Sequence, residues 1–347
     1  MPAPSNAARW LDRTNPADQQ LMQITAAADY LGNGAIEVNK YETEIFDIIR
    51  RNSIFLQRVD RKPATGHPHR YFEQLAIATA AFTDPRNITP TPTGPQRVER
   101  SAYVKAITAQ TNFSLFDVEV TKQQGQFAYA EAKDIQDIIT SIVLASASAV
   151  WTGTDTNLLT PTTIQYVSVL TQITTTAQIV NGASIIDGLK AQVAAMASNT
   201  TYVIRPTAIY IDPVLGDYLD REAKASTVIM NQLEVVGGVK VNAIMTQVGQ
   251  IPLIPDPFLS AAITPAGTSS YGFASVPTGL KGYYAVIVTE SDIEMAVIHG
   301  GDGNLQPRLF QLGLLAGLQA QYVGVVFDNL IVKGATYAHR LVQVLRP

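Results

Sequence analysis

The chain has 347 residues, of which 46% are hydrophobic but only 16% are charged, against about 25% charged residues in a typical soluble domain. The net charge is −4, with no cysteine and no long basic run. This composition excludes disulfides, thiolate metal sites and cysteine nucleophiles, and it argues against tight sequence-independent binding of nucleic acid. A surface so poor in charge is either kept soluble by uncharged polar groups or covered by partners, which favours a subunit of an assembly.

The N-terminal part predicts an arm followed by a helix. Residues 1–37 begin with Pro and Asn, pass through a short helical pattern over Ala17–Tyr30 and reach a Gly-Asn-Gly turn. Asn39–Arg51 then places Tyr41 and three isoleucines at helical spacing, with two arginines in the last turn, where cations suit the helix dipole. We expect an N-terminal arm over 1–37 and a helix over Asn39–Arg51.

Residues 59–102, named the hairpin arm below, are the most informative segment. Two strand-like runs, His69–Ala78 and Gln96–Ile107, flank the tip Thr83–Pro95, where four prolines forbid helix. An isolated hairpin is marginal in water, and ordering about forty residues costs on the order of 1–2 kcal/mol each in backbone entropy. If the arm is ordered, another surface must cover it, and a neighbouring copy of the chain is the natural candidate. The alternative is a flexible proline-rich loop, against which the aromatic and β-branched flanks argue.

The middle of the chain predicts a strand-like run over Tyr103–Val120 and then the best helix of the sequence, Tyr129–Val150. Isoleucines and valines give this helix a wide apolar stripe, and acidic residues lie near its positive end. At 1.5 Å per residue it would be about 33 Å long. The stripe indicates a core helix rather than a cofactor slot.

A Thr-rich connector, Leu158–Gln178, leads to a region of alternating element types. Ser184 with Asp187 predicts a capped helix over Ile185–Ser198, and Asp212-Pro213 predicts another over Val214–Ala225. Strands are predicted over Tyr202–Ile211, Val239–Met245, Ile251–Ile254, Tyr283–Thr289, Ile293–His299, Gln319–Val332 and Tyr337–Leu345. Ser260–Gly279 is predicted to be a surface loop. The fold class is therefore α+β.

Motifs of catalytic chemistry are absent from the sequence: G-x-S-x-G, H-E-x-x-H and the P-loop do not occur. His67 and His69 could chelate a metal, but no third histidine is near, so we interpret them as loop residues. Asp155 and Asn157 resemble the start of a calcium loop that lacks its later acidic ligands. We expect no enzymatic activity, no cofactor and no bound metal.

We expect neither secretion nor membrane insertion. The first residues lack a basic leader followed by an apolar core, and the apolar run Ile142–Val150 is too short to span a bilayer.

The order of these elements resembles the major capsid proteins of tailed double-stranded DNA bacteriophages, the Hong Kong 97 fold. An N-terminal arm, a short helix, a long hairpin and a long helix precede an α/β region. The segments that carry the resemblance in that region are Arg205–Leu219, Gly249–Pro257, Gly282–Val288 and the terminal strand through Phe327–Asn329.

The resemblance implies a domain organisation. It assigns 1–37 to an N-terminal arm, 38–58 and 103–178 to a peripheral domain with the spine helix 129–150, 59–102 to an extended loop, 179–310 to an axial domain, and 311–347 to strands that return to the peripheral domain. The extended loop would reach onto a neighbouring subunit. The residues assigned to this inter-subunit contact are Arg70, Tyr71, Phe72, Arg86, Arg97 and Arg100.

The resemblance also implies a function. The chain would be a major capsid protein that forms hexamers and pentamers in an icosahedral shell around phage DNA, without sequence-specific binding, in a virion assembled in the host cytoplasm. Its partners would be a portal, a decoration protein in some shells, and a separate scaffolding protein, since no long acidic helical segment precedes the fold. Pro63–Val104 contains no lysine, so we expect non-covalent contacts rather than the cross-link of the family's namesake.

Two alternatives remain open at this point. An encapsulin-like compartment would use the same fold to enclose an enzyme instead of a genome. A β-rich hydrolase or carbohydrate-binding protein would use Val59–Lys105 as a lid and would be a monomer or small oligomer.

Overall fold

A computed structural model describes residues 30–31, 35–36, 53–86, 88, 93–114, 116, 119–120, 123, 130–226, 230–236, 239–298, 307–315 and 319–347. The predicted helix Asn39–Arg51 and most of the predicted N-terminal arm lie outside these residues. The chain divides into two compact units, residues 1–48 with 113–133 and residues 49–112 with 134–347. In the first unit a short antiparallel pair of strands, β1 and β2, joins Tyr30–Leu31 to Ala35–Ile36. The second unit contains the structure described below.

Five α-helices have both ends within the described residues, and one of them is much longer than the others. They are α1 (Ile54–Arg58), α2 (Ala130–Thr152), α3 (Val169–Gln172), α4 (Ile185–Ala197) and α5 (Pro213–Ala225), with 3-10 turns at Pro257–Ala262 and Glu290–Asp292. The remaining strands are β3 (Asp60–Pro63), β4 (His69–Ala76), β5 (Gln96–Ala102), β6 (Lys105–Ser114), β7 (Thr176–Ile179), β8 (Ala208–Ile211), β9 (Asn231–Val236), β10 (Val239–Thr246), β11 (Gly249–Pro255), β12 (Lys281–Val288), β13 (Ile293–Ile298), β14 (Arg308–Leu315), β15 (Gln319–Val332) and β16 (Arg340–Arg346).

The predicted helix caps are confirmed. Ser184 Oγ accepts a hydrogen bond from the backbone N–H of Asp187 at 3.1 Å at the start of α4. Asp212 Oδ1 accepts from the N–H groups of Val214 at 2.8 Å and Leu215 at 3.2 Å at the start of α5. Each side chain satisfies backbone donors that have no partner within the first helical turn, which is why these helices begin there.

A seven-stranded mixed sheet has the order β7-β16-β12-β8-β11-β10-β9. Its central strands are buried on both faces: every residue of β8 is buried, as is every residue of β12 after Lys281. Helices α4 and α5 cover one face and form a core with the sheet through Leu189, Val193, Leu215, Leu219 and Ile287. Continuous apolar runs rather than alternating ones are expected for strands that are covered on both sides.

A second sheet has the order β14-β15-β13-β3, with β6 also paired to β15. Helix α2 packs against this sheet where β15 contains Gly324. A Cβ atom at Gly324 would lie 2.5 Å from Ile138 Cγ2 and 2.9 Å from Ile142 Cδ1. Only glycine therefore permits this close approach of the long helix to the strand.

Helix α2 is long and apolar enough to cross a membrane by length and composition, over Lys133–Thr152. Its buried residues contribute instead to the protein core: Trp151 packs edge-on against Phe55 at 4.9 Å between ring centroids and donates from Nε1 to Asp256 Oδ2 at 3.0 Å. Core helices of soluble proteins satisfy the same length and composition test. The packing supports the prediction of a core helix.

Several predicted strands are shorter or divided in the structure. The run Gln96–Ile107 is two strands, because the backbone of Tyr103 leaves the hairpin: its N–H donates to Leu158 O at 3.1 Å, and its carbonyl accepts from Asn329 Nδ2 at 2.8 Å. The run Tyr202–Ile211 is a strand only over Ala208–Ile211, since Pro206 lacks a donor and restricts the residue before it.

Two segments predicted as irregular are partly built into the core. The connector Leu158–Gln178 contains α3 and β7, and Tyr166 within it is buried. The predicted surface loop Ser260–Gly279 begins within a 3-10 helix and buries Phe273 and Val276. These contacts were not predicted because the apolar residues in both segments follow neither the helical nor the strand period.

Strand pairing joins segments that are distant in sequence. Strand β16, assigned with the returning C-terminal strands, lies between β7 and β12 in the seven-stranded sheet. Strand β13, assigned to the axial region, pairs with β15 in the other sheet. Pairing between strands distant in sequence decides these positions, and periodicity along a single strand carries no information about its partner.

Two buried titratable groups predict opposing pH dependences of stability. Burial raises the pKa of Asp328 from 3.8 to about 6, although Tyr166 donates a hydrogen bond to this carboxyl. Burial lowers the pKa of His339 from 6.5 to about 4. Between pH 3.8 and 6 the folded state holds the Asp328 proton more tightly than the unfolded chain, so stability falls as pH rises. Between pH 6.5 and 4 the unfolded chain protonates His339 first, so stability falls as pH decreases.

We therefore expect Asp328→Asn and His339→Gln to change the pH profile in opposite directions. Relative to the unsubstituted chain, acidification from pH 7 to 4 should destabilise Asp328→Asn and stabilise His339→Gln, each by about 3 kcal/mol. Urea unfolding of the unassembled chain at both pH values measures the two differences. Profiles that shift in the same direction would contradict the assignment.

Candidate functional site on the hairpin arm

The hairpin arm contains a two-stranded antiparallel sheet, in which β4 and β5 pair with each other and with no other strand among the described residues. Its register runs from His69 opposite Ala102 to Gln74 opposite Arg97. Beyond the sheet, residues 77–95, named the distal half below, have no strand pairing where the structure describes them. A cross-arm hydrogen bond from Thr79 N to Thr93 Oγ1 at 2.8 Å keeps the two limbs together there.

Alternation along the two strands gives the sheet two different faces. The inner face carries His69, Tyr71, Glu73, Val98 and Arg100, and the outer face carries Arg70, Phe72, Gln74, Arg97 and Glu99. The burial pattern of β4 follows this division, since His69 is buried and Tyr71 and Glu73 are partly covered, whereas the outer residues of β4 are exposed.

The inner face packs on its own chain. Tyr71 contacts an apolar cluster that contains Ala102, Ala296 and Ile331. Glu73 Oε1 accepts a hydrogen bond from the backbone N–H of Gly334 at 3.2 Å. Tyr202 donates from its hydroxyl to Leu75 O at 2.6 Å. The inner face at the base of the arm is thus covered by its own subunit.

A buried carboxylate lies beneath the base of the arm. Glu294 on β13 is 3% exposed, and its carboxylate lies 2.7 Å from Lys333 Nζ, 3.1 Å from Lys62 Nζ and 3.8 Å from His69 Nε2. Lys333 Nζ also lies 5.4 Å from the centroid of the Tyr71 ring. We name Lys62, His69, Tyr71, Glu294 and Lys333 the base clamp.

The pKa values in the base clamp indicate a carboxylate ionised at neutral pH. Burial would raise the pKa of Glu294, but hydrogen bonds from Lys333 and Lys62 outweigh it and hold the pKa below its usual value. Burial lowers the pKa of His69, against the attraction of Glu294. His69 is therefore neutral near pH 7, and its Nδ1 accepts from Thr65 N at 3.1 Å.

A second buried ion pair holds the segment in which the chain leaves the arm, between β5 and β6. Lys105, the first residue of β6, donates to Asp155 Oδ2 and to Thr163 O, both at 2.6 Å. Burial would raise the pKa of Asp155, but hydrogen bonds from Lys105 and Thr162 hold it well below its usual range. Asp155 thus anchors a turn to the base of the arm rather than beginning a calcium loop.

The outer face of the arm remains uncovered. Phe72 is 71% exposed, and with Gln74 and Arg97 it lines an open hollow of about 400 Å³. Arg70 pairs with Glu99 at 3.2 Å on the same face. Exposed aromatic and arginine side chains around a hollow are the composition that interfaces favour.

The distal half carries large apolar side chains in solvent. Ile77 is 74% exposed, Ile88 is 69% exposed, and Phe82 is fully exposed. Burying such side chains is worth about 1.5–3 kcal/mol each, and none of the described residues of the chain covers them. Large apolar side chains left exposed in this way are typical of a surface that contacts another molecule.

The six residues assigned to inter-subunit contact are divided by the structure. Arg70, Phe72 and Arg97 share the outer face, and Arg86 lies exposed in the distal half. Tyr71 lies on the inner face against its own chain, and Arg100 on that face pairs with Glu73 at 3.1 Å. Alternation within β4 separates Tyr71 from its neighbours, which sequence proximity alone did not resolve.

The described residues contain no group of three or more His, Asp or Glu side chains that could hold a metal ion. The two histidines considered for chelation have other contacts. The His67 ring packs edge-on against Tyr103 with centroids 5.0 Å apart, and His69 belongs to the base clamp.

The base clamp was not predicted from the sequence, although one signal pointed to it. Glu294 is the single charged residue in the otherwise apolar strand Ile293–Ile298. A charge at a buried strand position requires partners, but the lysines that provide them are distant in sequence.

No family model and no curated protein matches the sequence. Solved structures match over nearly the whole chain. The capsid of an empty GTA particle has 11% identity and a TM-score of 0.63, and the match covers 91% of this chain and 98% of that one. The cyanophage A-1(L) capsid has 10% identity and a TM-score of 0.62, with 88% and 96% covered. The SrpI encapsulin of Synechococcus elongatus has 13% identity and a TM-score of 0.55, with 92% and 94% covered.

These similarities cover a shared fold rather than a shared sequence. Phage capsids predominate among the similar structures. The chain has the Hong Kong 97 fold, in the form that phage capsid proteins and an encapsulin have in common.

Proposed function

We propose that this chain is the major capsid protein of a tailed double-stranded DNA bacteriophage and assembles into an icosahedral shell. The observation that carries the proposal is an ordered hairpin arm whose outer face and distal half expose Phe72, Ile77 and Phe82 to solvent. On the Hong Kong 97 fold, a neighbouring copy supplies the missing cover, and each copy in turn covers another.

The proposed mechanism is repeated burial and not a reaction. Each arm that packs on a neighbour gains roughly 25 cal/mol of free energy for every Å² of apolar surface that it buries. When the shell closes, every arm has such a neighbour. Arg70, Phe72, Arg86 and Arg97 are the side chains available for this contact. Lys62 and Lys105, the lysines at the base of the arm, are both engaged in ion pairs within the chain, which supports a shell held by non-covalent contacts.

We further propose the domain roles and partners that the fold suggests. Helix α2 would be the spine of the peripheral domain, and the seven-stranded sheet with α4 and α5 would form most of the axial domain. A separate scaffolding protein, a portal and, in some shells, a decoration protein would be its partners, with assembly in the host cytoplasm. DNA would lie against the inner wall without sequence-specific contacts.

Expression of the full chain with size-exclusion chromatography and negative-stain microscopy tests the proposal. Closed shells, or sheets and rings of regular subunits, are the expected result. A uniform population of single chains across a wide range of protein and salt concentrations would contradict it, and would favour the lid of a β-rich monomeric protein.

The encapsulin match favours a second candidate, a bacterial compartment that encloses protein cargo. Particles purified from the native host distinguish the two. Double-stranded DNA inside supports the capsid, and a bound enzyme without DNA supports the compartment.

A further inference from the structure

The base clamp contains a buried charge that stability alone does not explain. Glu294 is buried on a strand whose other residues are apolar. Replacing a buried ion pair with well-packed apolar residues is often neutral or stabilising. The stability of the fold therefore does not account for this buried charge, and the best-attested other role of such charges is to specify one arrangement of the chain over others.

Glu294 joins the three segments that meet where the arm leaves the chain. Lys62 lies in β3 at the start of the arm, His69 is the first residue of β4, and Lys333 follows β15. The carboxylate contacts all three, at 3.1, 3.8 and 2.7 Å. A hydrogen bond from Ala64 N to Val297 O at 2.8 Å extends the β3–β13 pairing by one residue. Between this residue and β4, side-chain contacts hold the chain in place.

Apolar contact alone leaves the direction of the arm weakly defined. The cluster beneath the arm consists of Ala102, Ala296 and Ile331, with Tyr71 packed against it. The hydrophobic effect is non-directional, so these contacts by themselves permit sliding. The hydrogen bonds at Glu73 and at Leu75 O act farther along β4 than the point where the arm begins. Charge-assisted hydrogen bonds to one carboxylate are directional and short.

We propose that Glu294 is a positioning residue that sets the direction in which the hairpin arm leaves the subunit. It acts through Lys62, His69 and Lys333, and it contacts no partner itself. The consequence for assembly rests on the proposed function, whereas the direction of the arm is a property of the single chain.

The absence of cysteine from the chain makes the test direct. Gln96 at the start of β5 and Ala191 on α4 are both exposed, so Gln96→Cys with Ala191→Cys gives a specific pair of spin labels on the part of the arm that its own chain orders. Pulsed electron resonance on the dilute, unassembled chain measures the distance distribution between them. We expect one narrow peak with Glu294 present, and a broad or multiple distribution in Glu294→Gln.

The matched control is Glu99→Gln, which breaks the exposed Arg70–Glu99 pair within the arm and should leave the peak narrow. Should Glu294→Gln fail to fold, Lys62→Met removes one cation whose side chain is 51% exposed, and it should broaden the peak to a lesser degree. A purely structural role would lower the free energy of unfolding without widening the peak. If Glu294→Gln folds and its peak stays narrow, the proposal is overturned. If Glu294→Gln does not fold, a narrow peak in Lys62→Met overturns it instead.

Shell yield separates this inference from the proposed function. If the unsubstituted chain forms shells, Glu294→Gln should reduce their yield while Glu99→Gln does not. If no chain forms shells but the peak still broadens in Glu294→Gln, the proposed function fails and the positioning role stands.

Discussion

Removal of residues 77–95, with Ala76 joined to Gln96 through an Asn-Gly turn, is expected to abolish shell assembly while the subunit stays folded. Ala76 and Gln96 are directly opposite in the hairpin, so a two-residue turn closes the strands without changing their register. The deleted segment includes Ile77, Phe82 and Ile88, each of which is at least 69% exposed. Their loss removes about 1.5–3 kcal/mol of free energy of inter-subunit burial for each side chain. It removes few contacts within the chain, because these side chains are exposed.

Light scattering and negative-stain microscopy measure assembly, and urea unfolding measures the stability of the subunit. The matched control replaces exposed apolar residues elsewhere, Leu159, Ile164 and Val203, with serine. These side chains are 56%, 88% and 94% exposed. Equal loss of assembly in the control would show that apolar surface in general drives association and would contradict a specific role of the arm.

The substitution Asp155→Asn is expected to be the most destabilising single change considered. It leaves the Lys105 ammonium buried with Thr163 O as its remaining acceptor, because the amide that replaces the carboxylate cannot balance the charge. Breaking a buried pair by removing one partner costs about 3–5 kcal/mol. Denaturant unfolding of the unassembled chain should show this loss.

A double substitution separates the buried charge from the turn. In Lys105→Met with Asp155→Asn, no charge is buried and the amide oxygen still accepts from Thr162 N, so much of the stability should return. Glu99→Gln, which breaks an exposed pair, should cost only about 0–1 kcal/mol. A loss of that small size in Asp155→Asn itself would contradict the importance of the buried pair.

The local elements could be predicted from the sequence because their signals are local. The caps Ser184 and Asp212, the apolar stripe of α2 and the proline-rich tip of the arm each act within a few residues. Their order along the chain carried the resemblance to a capsid fold. The two faces of the arm were also implicit in strand alternation, which places Tyr71 and Phe72 on opposite faces.

The sequence by itself determined the capped starts of α4 and α5, the apolar stripe of α2 and the extended, proline-rich tip of the arm. Only the tertiary structure decided that β16 joins the seven-stranded sheet and that Lys105 meets Asp155. It also decided that Glu294 gathers Lys62, His69 and Lys333 beneath the arm. The reason is physical: propensity and periodicity act between neighbours along the chain, whereas strand partners and buried ion pairs are chosen by the packing of segments far apart in sequence.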